Sequence, residues 1–425
     1  MTPAYSTLPT KDSGIKWAGP IPEHWNVMPF YSFVDEVDHK NVGLKERNLL
    51  SLSYGRLVRK DMNRLEGLTP KSFEGYNVIE QDDIVFRLTD LQNDQTSLRS
   101  ARSTERGIIT SAYVTVRPHS SPRFFDYLMR SYDTTKVFYG IGGGIRQSMK
   151  FSDLKRLPVV VPPENEMENI ASYLDRATAR INSLVAKKTR FIELLREKRQ
   201  AVITHAVTNG LDAGVPMKDS GVEWLGDVPE TWDTAPLRVF LKLRRDIVGA
   251  DSANTRLLSL TLQGVIERNL ENPTGKMPAS FDGYQRISAG EMVFCLFDMD
   301  ETPRTVGVAP QNGMLTGAYT VFQPHSELWA RYLYYFFLHV DEYKRLKPFY
   351  KGLRKTIRPG PFLSIQVPRP KADVAKKIVD HLDRITTRID ALIAKTERSI
   401  GLLRERRTAL ITAAVTGKID LRNAA

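Results

Sequence analysis

Two glycine-rich basic loops hold the residues of this chain that are best suited to contact a phosphate. The first loop reads GGGIRQSMK from Gly142 to Lys150, and the second reads KGLRKTIR from Lys351 to Arg358. Glycine lets a backbone approach a phosphate closely, while Arg and Lys donate charge-assisted hydrogen bonds to it. A glutamine in such a loop can also read adenine through its amide. The predicted contact residues are Arg146, Gln147, Lys150, Arg354, Lys355 and Arg358.

Two other interpretations of these loops stay open. A nucleotide cofactor loop is one, but residues 140–144 are not followed by the helix and the later acidic residue that a dinucleotide-binding fold requires. A turn that binds no ligand is the other.

Residue patterns that would indicate catalysis are missing from the sequence. Neither GxxxxGK[ST] nor HExxH occurs, and the seven histidines lack the spacing of metal ligands. Asp82-Asp83 and the group Asp298, Asp300 and Glu301 have the ligand type of a Mg²⁺-dependent nuclease, yet the second group is not reproduced in the first half. We interpret both as surface charges. The chain is expected to bind rather than to catalyse, with no metal or cofactor of its own.

Composition points to a polyanionic partner and a reducing compartment. The formal net charge is +12 and the isoelectric point is near 9.5. The single cysteine, Cys295, excludes disulfides within the chain and is expected to be a small buried apolar residue. No run of 18 or more apolar residues exists, and the first residues lack a charged and an apolar signal region. We expect a cytoplasmic protein, neither secreted nor membrane-spanning.

The elements that must position these loops are two long amphipathic helices, which are copies of each other. Glu164 to Asp212 recurs as Asp373 to Asp420 with a constant offset of 208 residues. Apolar residues follow a heptad stripe in both copies, interrupted at matching places by polar residues. Proline pairs precede both copies, and glycine follows them as a stop signal. Dimerisation through these helices is one alternative, but two copies in one chain favour pairing within the chain.

The duplication extends beyond the helices. KDSGIKWAGPIPEHW, from Lys11 to Trp25, returns as KDSGVEWLGDVPETW, from Lys218 to Trp232. Tryptophans beside glycine and proline are expected to pack a joint rather than to bind a ligand. Between each tryptophan motif and each helix lies a repeated region of short strands and charged loops. Its framework is similar in the two copies, whereas its loops differ.

These repeats resemble the specificity subunits of type I restriction-modification systems. The resemblance covers nearly the whole chain and rests on three duplicated segments: WAGPIPEHW from Trp17, the approach FSDL and VVPP before the first helix, and the endings AVTNGLD and AVTGKID. It implies two target-recognition domains that each read one half of a bipartite DNA site. It also implies that methyltransferase and restriction subunits dock on the helices and carry S-adenosylmethionine, ATP and Mg²⁺.

The expected fold class is α+β, with two similar globular target-recognition domains separated by two long antiparallel helices that form an intramolecular coiled coil. The internal duplication should give pseudo-twofold symmetry. We predict the first domain over residues 1–162, the first helix over 163–213, the second domain over 214–369 and the second helix over 370–425.

Base-reading residues are expected where the two halves diverge, because loops carry specificity on a rigid frame. The predicted ones are Arg56, Arg59, Lys60, Gln263 and Arg268. A different function stays possible, namely a non-catalytic coiled-coil scaffold or regulator that recruits proteins and uses its basic loops for solubility.

The connectivity also predicts how the helices run. The two ends of a compact domain usually lie close together, so the second helix must start near the end of the first and the two must be antiparallel. By symmetry, Trp17 and Trp25 are then expected to pack against the end of the second helix, near Asp420.

Overall fold

Both heptad stripes form continuous helices, as predicted. The computed structural model describes residues 8–62, 70, 72–89, 91, 98–140, 149–268 and 278–422. The long helices are Glu164–Thr208 and Ala372–Val415. Each begins directly after proline-containing residues and ends just before a glycine with positive φ, Gly210 at 79° and Gly417 at 71°.

The chain divides into two compact units. Unit 1 comprises residues 1–189 and 398–425, and unit 2 comprises residues 190–397. Each unit therefore includes one half of each long helix, whereas the predicted domain ranges assign the helices to segments of their own. The assignment of target-recognition domains to those ranges stays a prediction.

Unit 1 contains the first copy of the repeated framework. Its strands are β1 Thr10–Asp12, β2 Pro20–Pro22, β3 Asn26–Pro29, β4 Val34–Glu36, β5 Leu50–Ser53, β6 Arg56–Arg59, β7 Asn77–Ile79, β8 Ile84–Phe86, β9 Ser100–Arg102, β10 Gly107–Ile109, β11 Val114–Pro118 and β12 Pro158–Val161. Its helices are α1 Pro122–Thr134, α2 Phe151–Leu154 and the start of α3 Glu164–Thr208. The strands β4, β11, β8 and β9 form an antiparallel sheet in that order, and β5–β6, β7–β10, β1–β2 and β3–β12 form antiparallel pairs.

Unit 2 repeats this topology pair by pair. Its strands are β13 Met217–Asp219, β14 Asp227–Pro229, β15 Asp233–Pro236, β16 Leu241–Arg244, β17 Leu258–Thr261, β18 Gly264–Glu267, β19 Gln285–Ile287, β20 Met292–Phe294, β21 Val306–Val308, β22 Gly313–Leu315, β23 Thr320–Pro324 and β24 Gln366–Arg369. Its helices are α4 Glu327–Glu342, α5 Pro359–Leu363 and part of α6 Ala372–Val415. The sheet order is β16, β23, β20 and β21, so the predicted duplication of an α+β framework is confirmed.

In each unit the two long helices pair in an antiparallel manner. Residues near the start of α3, such as Leu174, share the core of unit 1 with residues near the end of α6, such as Val415. In unit 2 the end of α3, at Val207, shares a core with the start of α6, at Leu382. The predicted antiparallel arrangement is therefore confirmed.

The short helix of each unit is held on a long helix by the same polar network. The Tyr127 hydroxyl of α1 donates to Asp175 at 2.8 Å and lies 3.1 Å from the Thr178 hydroxyl. Tyr335, Asp383 and Thr386 form the same network in unit 2. The repeated Leu-Asp-Arg sequence thus supplies a carboxylate that anchors α1 or α4, and a polar heptad position supplies the hydroxyl.

The tryptophan motif of unit 1 packs a joint, as expected. Trp25 is 2% exposed, and its indole donates to the carboxylate of Glu166 on α3 at 2.9 Å. A side chain at Gly417, just beyond α6, would collide with the ring of Pro22 and touch Trp25. The predicted contact with the end of the second helix is confirmed for Trp25, whereas the ring of Trp17 packs against Tyr132 of α1.

We expect Gly417→Ala to destabilise the protein more than Gly210→Ala. Both glycines have left-handed backbone, which costs an L-residue about 1–2 kcal/mol. The new Cβ at Gly210 would lie 3.4 Å from Trp232, an ordinary contact, whereas that at Gly417 would overlap Pro22 and add an overpacking cost of about 1–3 kcal/mol. Thermal unfolding of both variants measures the difference, and equal shifts in melting temperature would contradict it.

His339 in unit 2 gives the fold a pH dependence. Its ring is 2% exposed, lies 3.0 Å from the Thr204 hydroxyl, and has its pKa lowered by burial, and secondarily by Arg345, to about 4. Between pH 6.5 and about 4, the unfolded chain takes up a proton that the folded chain does not, so the stability falls as the pH falls. The loss is at most about 3 kcal/mol.

The His339→Gln variant tests this expectation. It should lack this part of the pH dependence, so the difference in unfolding free energy between wild type and variant should shrink as the pH falls from 6.5 towards 4.5. Urea denaturation at several pH values measures it. A difference that stays constant with pH would assign the slope to other groups.

The structure also bears on the single cysteine and on membrane-spanning helices. Cys295 is buried, as predicted, and burial raises the pKa of its thiol. Among the described helices, not one combines the length and the apolar character needed to span a membrane.

Candidate nucleic-acid interface

Two β-hairpins at matching positions carry the predicted base-reading residues. In unit 1, β5 and β6 pair from Leu50 with Arg59 to Ser53 with Arg56, leaving a two-residue turn, Tyr54-Gly55, in which both residues have positive φ. In unit 2, β17 and β18 pair in the same register from Leu258 to Thr261, with Leu262-Gln263 as the turn. Tyr54 is 83% exposed and Leu262 is 63% exposed, so both tips project side chains into solvent.

In unit 1, Arg56 and Arg59 lie on β6 and Lys60 directly follows it, and the three residues differ in their partners. Arg59 forms a bidentate ion pair with Glu105, with contacts of 2.5–3.0 Å. Arg56 and Lys60 are exposed, and the Lys60 amide donates to Leu49 where β6 ends. The hairpin therefore presents Arg56 and Lys60 directly, while Arg59 is held by a carboxylate.

In unit 2, the predicted residues occupy the tip and the base of the hairpin. Gln263 is exposed at the turn. Its backbone N–H donates to the Thr261 hydroxyl at 3.1 Å. Arg268 is half-buried directly after β18, where its amide donates to Leu257. A glutamine side chain at an exposed tip has the donor and acceptor pattern that reads adenine.

The structure separates the residues of the two basic loops into three groups. Arg146 and Gln147 lie outside the described residues. Lys150 and Arg358 are exposed at corresponding places, directly before the short helices α2 and α5. Arg354 and Lys355 are paired with carboxylates.

These pairs assign a partner to each acidic residue of the loop 298–301. Arg354 donates to Asp298 at 2.6 Å, and Lys355 lies 3.0 Å from Asp300 and 2.7 Å from Glu301. Arg354 holds the pKa of Asp298 below its usual value, and Lys355 does the same for the other two carboxyls. A phosphate that binds Arg354 therefore competes with a carboxylate.

If this loop contacts DNA, we expect Asp298→Asn to raise the affinity about two- to fivefold at low salt, because the variant releases Arg354 from an exposed ion pair. Fluorescence anisotropy with duplex DNA measures the change. Asp420→Asn is the matched control, since it removes the same charge from an exposed pair with Arg422 in unit 1. An equal rise in both variants would assign the effect to net charge alone.

No family model matches the sequence, and no curated protein matches it. Among the solved structures that match the fold over almost the whole chain are two from type I restriction-modification systems. One is a chain from a structural study of complex assembly and conformational transition of the type I restriction-modification system, with a TM-score of 0.66 and 13% identity over 94% of this chain and 99% of that one. The other is the HsdS subunit from Thermoanaerobacter tengcongensis, with a TM-score of 0.52 and 13% identity over 94% and 98%.

The fold is that of a type I restriction-modification S subunit. At this level of identity the likeness shows the fold alone, and the low identity explains why sequence comparison finds no match. The S-subunit fold agrees with the resemblance that the duplicated motifs indicate.

One interpretation of the acidic residues is wrong. Asp83 is not a surface charge: its carboxylate is fully buried and forms two hydrogen bonds with Arg117, of 2.7 and 2.9 Å, and a third with the amide of Glu80. Arg117 is on β11 and Asp83 directly precedes β8, so the pair connects adjacent strands. In the described part of the chain, no group of His, Cys, Asp and Glu is arranged to hold a metal ion.

Sequence reasoning missed one cluster within the S-subunit fold. Arg130 of α1 and Arg407 of α6 line a cleft beside Arg56. Neither belongs to a glycine-rich loop, and the two are far apart in sequence. The signal was the comparison of the copies, since Leu338 replaces Arg130 in the second repeat.

Proposed function

We propose that this chain is the DNA-recognition subunit of a type I restriction-modification complex and that each unit reads one half of a bipartite site. The match to S-subunit structures over 94% of the chain carries the proposal. The matching hairpins support it, because they share one register but present different side chains. Arg59 in unit 1 corresponds to Glu267 in unit 2, and Gly55 corresponds to Gln263.

The long helices are the proposed docking surface for methyltransferase and restriction subunits. Each contains large apolar side chains that are 39–60% exposed, and exposed apolar patches mark interaction sites. They are Leu184, Phe191, Leu194, Leu392 and Leu402. In this proposal the chain itself is not catalytic, and the partner subunits bind S-adenosylmethionine, ATP and Mg²⁺.

A salt titration of DNA binding tests the recognition role. The protein, purified with its methyltransferase subunit, should bind duplex DNA with an affinity that falls steeply as salt rises, since each phosphate contact adds about 0.9 to the logarithmic slope. Lys150→Ala and Arg358→Ala should each flatten that slope by about one. These two are chosen because both are exposed and, within the described residues, neither has an ion-pair partner.

The same experiment separates the competing function. A protein that binds the methyltransferase but no DNA at any salt concentration would be a scaffold rather than a recognition subunit. DNA binding with an unchanged slope in both variants would reject the phosphate role of these two loops only.

A further inference from the structure

A cleft of about 300 Å³ in unit 1 brings three arginines together from separate elements. Arg56 comes from β6, Arg130 from α1 and Arg407 from α6. The long helix α3 completes the wall with Thr178 and Asn182. The volume is at the lower end of the range of small-molecule sites, roughly 300–1,000 Å³.

Two of the arginines are fixed in place but keep free donors. Arg130 donates through Nη2 to the carbonyl of Gly55 at 2.8 Å, while its Nη1 is buried and has no hydrogen-bond partner among the described residues. Arg407 donates through Nη1 to the Asn182 side chain at 2.7 Å. A guanidinium has five N–H donors, and a buried donor without a partner costs about 1–3 kcal/mol. The arrangement therefore favours an acceptor inside the cleft.

Gly55 makes this geometry possible. It has a φ of 72°, and a Cβ at this position would overlap the guanidinium of Arg130. The turn of the β5–β6 hairpin therefore leaves space for the guanidinium of Arg130, which a side chain at Gly55 would fill.

The charges of the cleft are not balanced. Burial, together with the neighbouring guanidiniums of Arg130, Arg404 and Arg56, lowers the pKa of Arg407. Asp126 is the one carboxyl group among the described residues that line the cleft, and burial raises its pKa. Three guanidiniums therefore face a single carboxyl that is itself biased towards the neutral form.

Unit 2 shows that the fold does not need this excess of positive charge. Arg199 corresponds to Arg407, but it forms a bidentate ion pair with Asp390, at 2.9 and 3.3 Å, where unit 1 has Asn182. The counterparts of the other two arginines are Leu338 and Gly264. The same position on the long helices is neutralised in one unit and left charged in the other.

We propose that this cleft of unit 1 binds a phosphate group. Arginine pairs hold phosphate through bidentate charge-assisted hydrogen bonds, which suits the free donors of Arg130 and Arg407. The phosphate comes either from a small phosphorylated molecule or from a DNA backbone, and the second source rests on the proposed function.

Pyrophosphate is the probe for the site itself. Titration calorimetry of the full chain at constant ionic strength should detect binding, and Asn182→Asp should weaken it at least tenfold by giving Arg407 the partner that Arg199 has. Arg130→Leu, which introduces the residue of unit 2, should do the same. The control is Asp390→Asn, which frees Arg199 in unit 2. Unit 2 has Leu338 where unit 1 has Arg130, so this variant should leave the affinity for pyrophosphate unchanged.

DNA titrations of the same variants identify the source of the phosphate. Loss of pyrophosphate binding with unchanged DNA binding indicates a small phosphorylated ligand. A salt slope that flattens by about one in Asn182→Asp indicates a backbone phosphate. The proposal is overturned if pyrophosphate binds wild type and both unit 1 variants equally, or if neither pyrophosphate nor DNA binding responds to them. The calorimetric test needs no DNA, so it remains valid if the proposed recognition function fails.

Discussion

Under the proposed function, replacing residues 261–267 of the second hairpin with residues 53–59 of the first is expected to change one half of the DNA site and leave the other half intact. The two hairpins pair in the same register, and both have two-residue turns, so the exchange keeps strand length and turn length. The buried Val265 stays apolar because it corresponds to Leu57, whereas the buried Gly264 becomes Arg. Among the exposed residues, Glu267 becomes Arg and Gln263 becomes Gly.

The expected size of this effect is large. Each mismatched base pair costs about 1–3 kcal/mol, so a half-site that loses two or three matched pairs should bind about a thousandfold more weakly. Sequencing of methylated positions in cells that carry the complete complex would show the change directly. The altered half should resemble the half read by unit 1.

A second exchange provides the control. Replacing Lys218–Trp232 with Lys11–Trp25 transfers the corresponding tryptophan motif, which is identical at nine of 15 positions and packs in the core. It should leave both half-sites unchanged. If the hairpin exchange alters both half-sites, or neither while binding persists, base reading does not depend on the hairpins.

The elements that the sequence predicted well are those encoded locally. Helix bounds follow from heptad periodicity and from proline and glycine at the ends, and the contact of Trp25 with the end of α6 follows from the duplication. The repeat is informative because residues 212–217 join the end of α3 to the tryptophan motif of unit 2. By analogy, the end of α6 and the tryptophan motif of unit 1 must lie together although no peptide bond joins them.

The pairing of charges could not be predicted in the same way. Arg354 and Asp298 are 56 residues apart, and Asp83 and Arg117 are 34 apart, so only the folded chain shows that one carboxylate holds a basic loop and the other a pair of strands. The sequence alone indicates surface charges for both acids. The cleft arginines belong to the same class, although the substitution of Asp390 by Asn182 between the copies was visible in the sequence.

A circular permutant is expected to fold and to bind the same split site. It joins Ala425 to Met1 through a short flexible linker and opens the chain between Gly210 and Pro216. In unit 1 the strand β2 lies against the residue that follows α6, because Pro22 packs on Gly417, and the Asn169 side chain donates to the carbonyl of Arg422.

Unit 2 shows why the new connection should be tolerated. There, residues 209–216 already join the end of α3 to β13, and Gly210 lies beside Trp232 as Gly417 lies beside Trp25. The permutant therefore gives unit 1 a covalent connection between helix end and first strand like the one in unit 2. It also cuts the connection in unit 2. There, the packing of Trp232 with Ile203 and Val207 still holds the joint together. Circular dichroism and thermal unfolding measure folding, and DNA binding measures function. A permutant that is unfolded, while the same linker added to the uncut chain is harmless, would show that unit 2 needs its covalent connection and that the two joints are not equivalent.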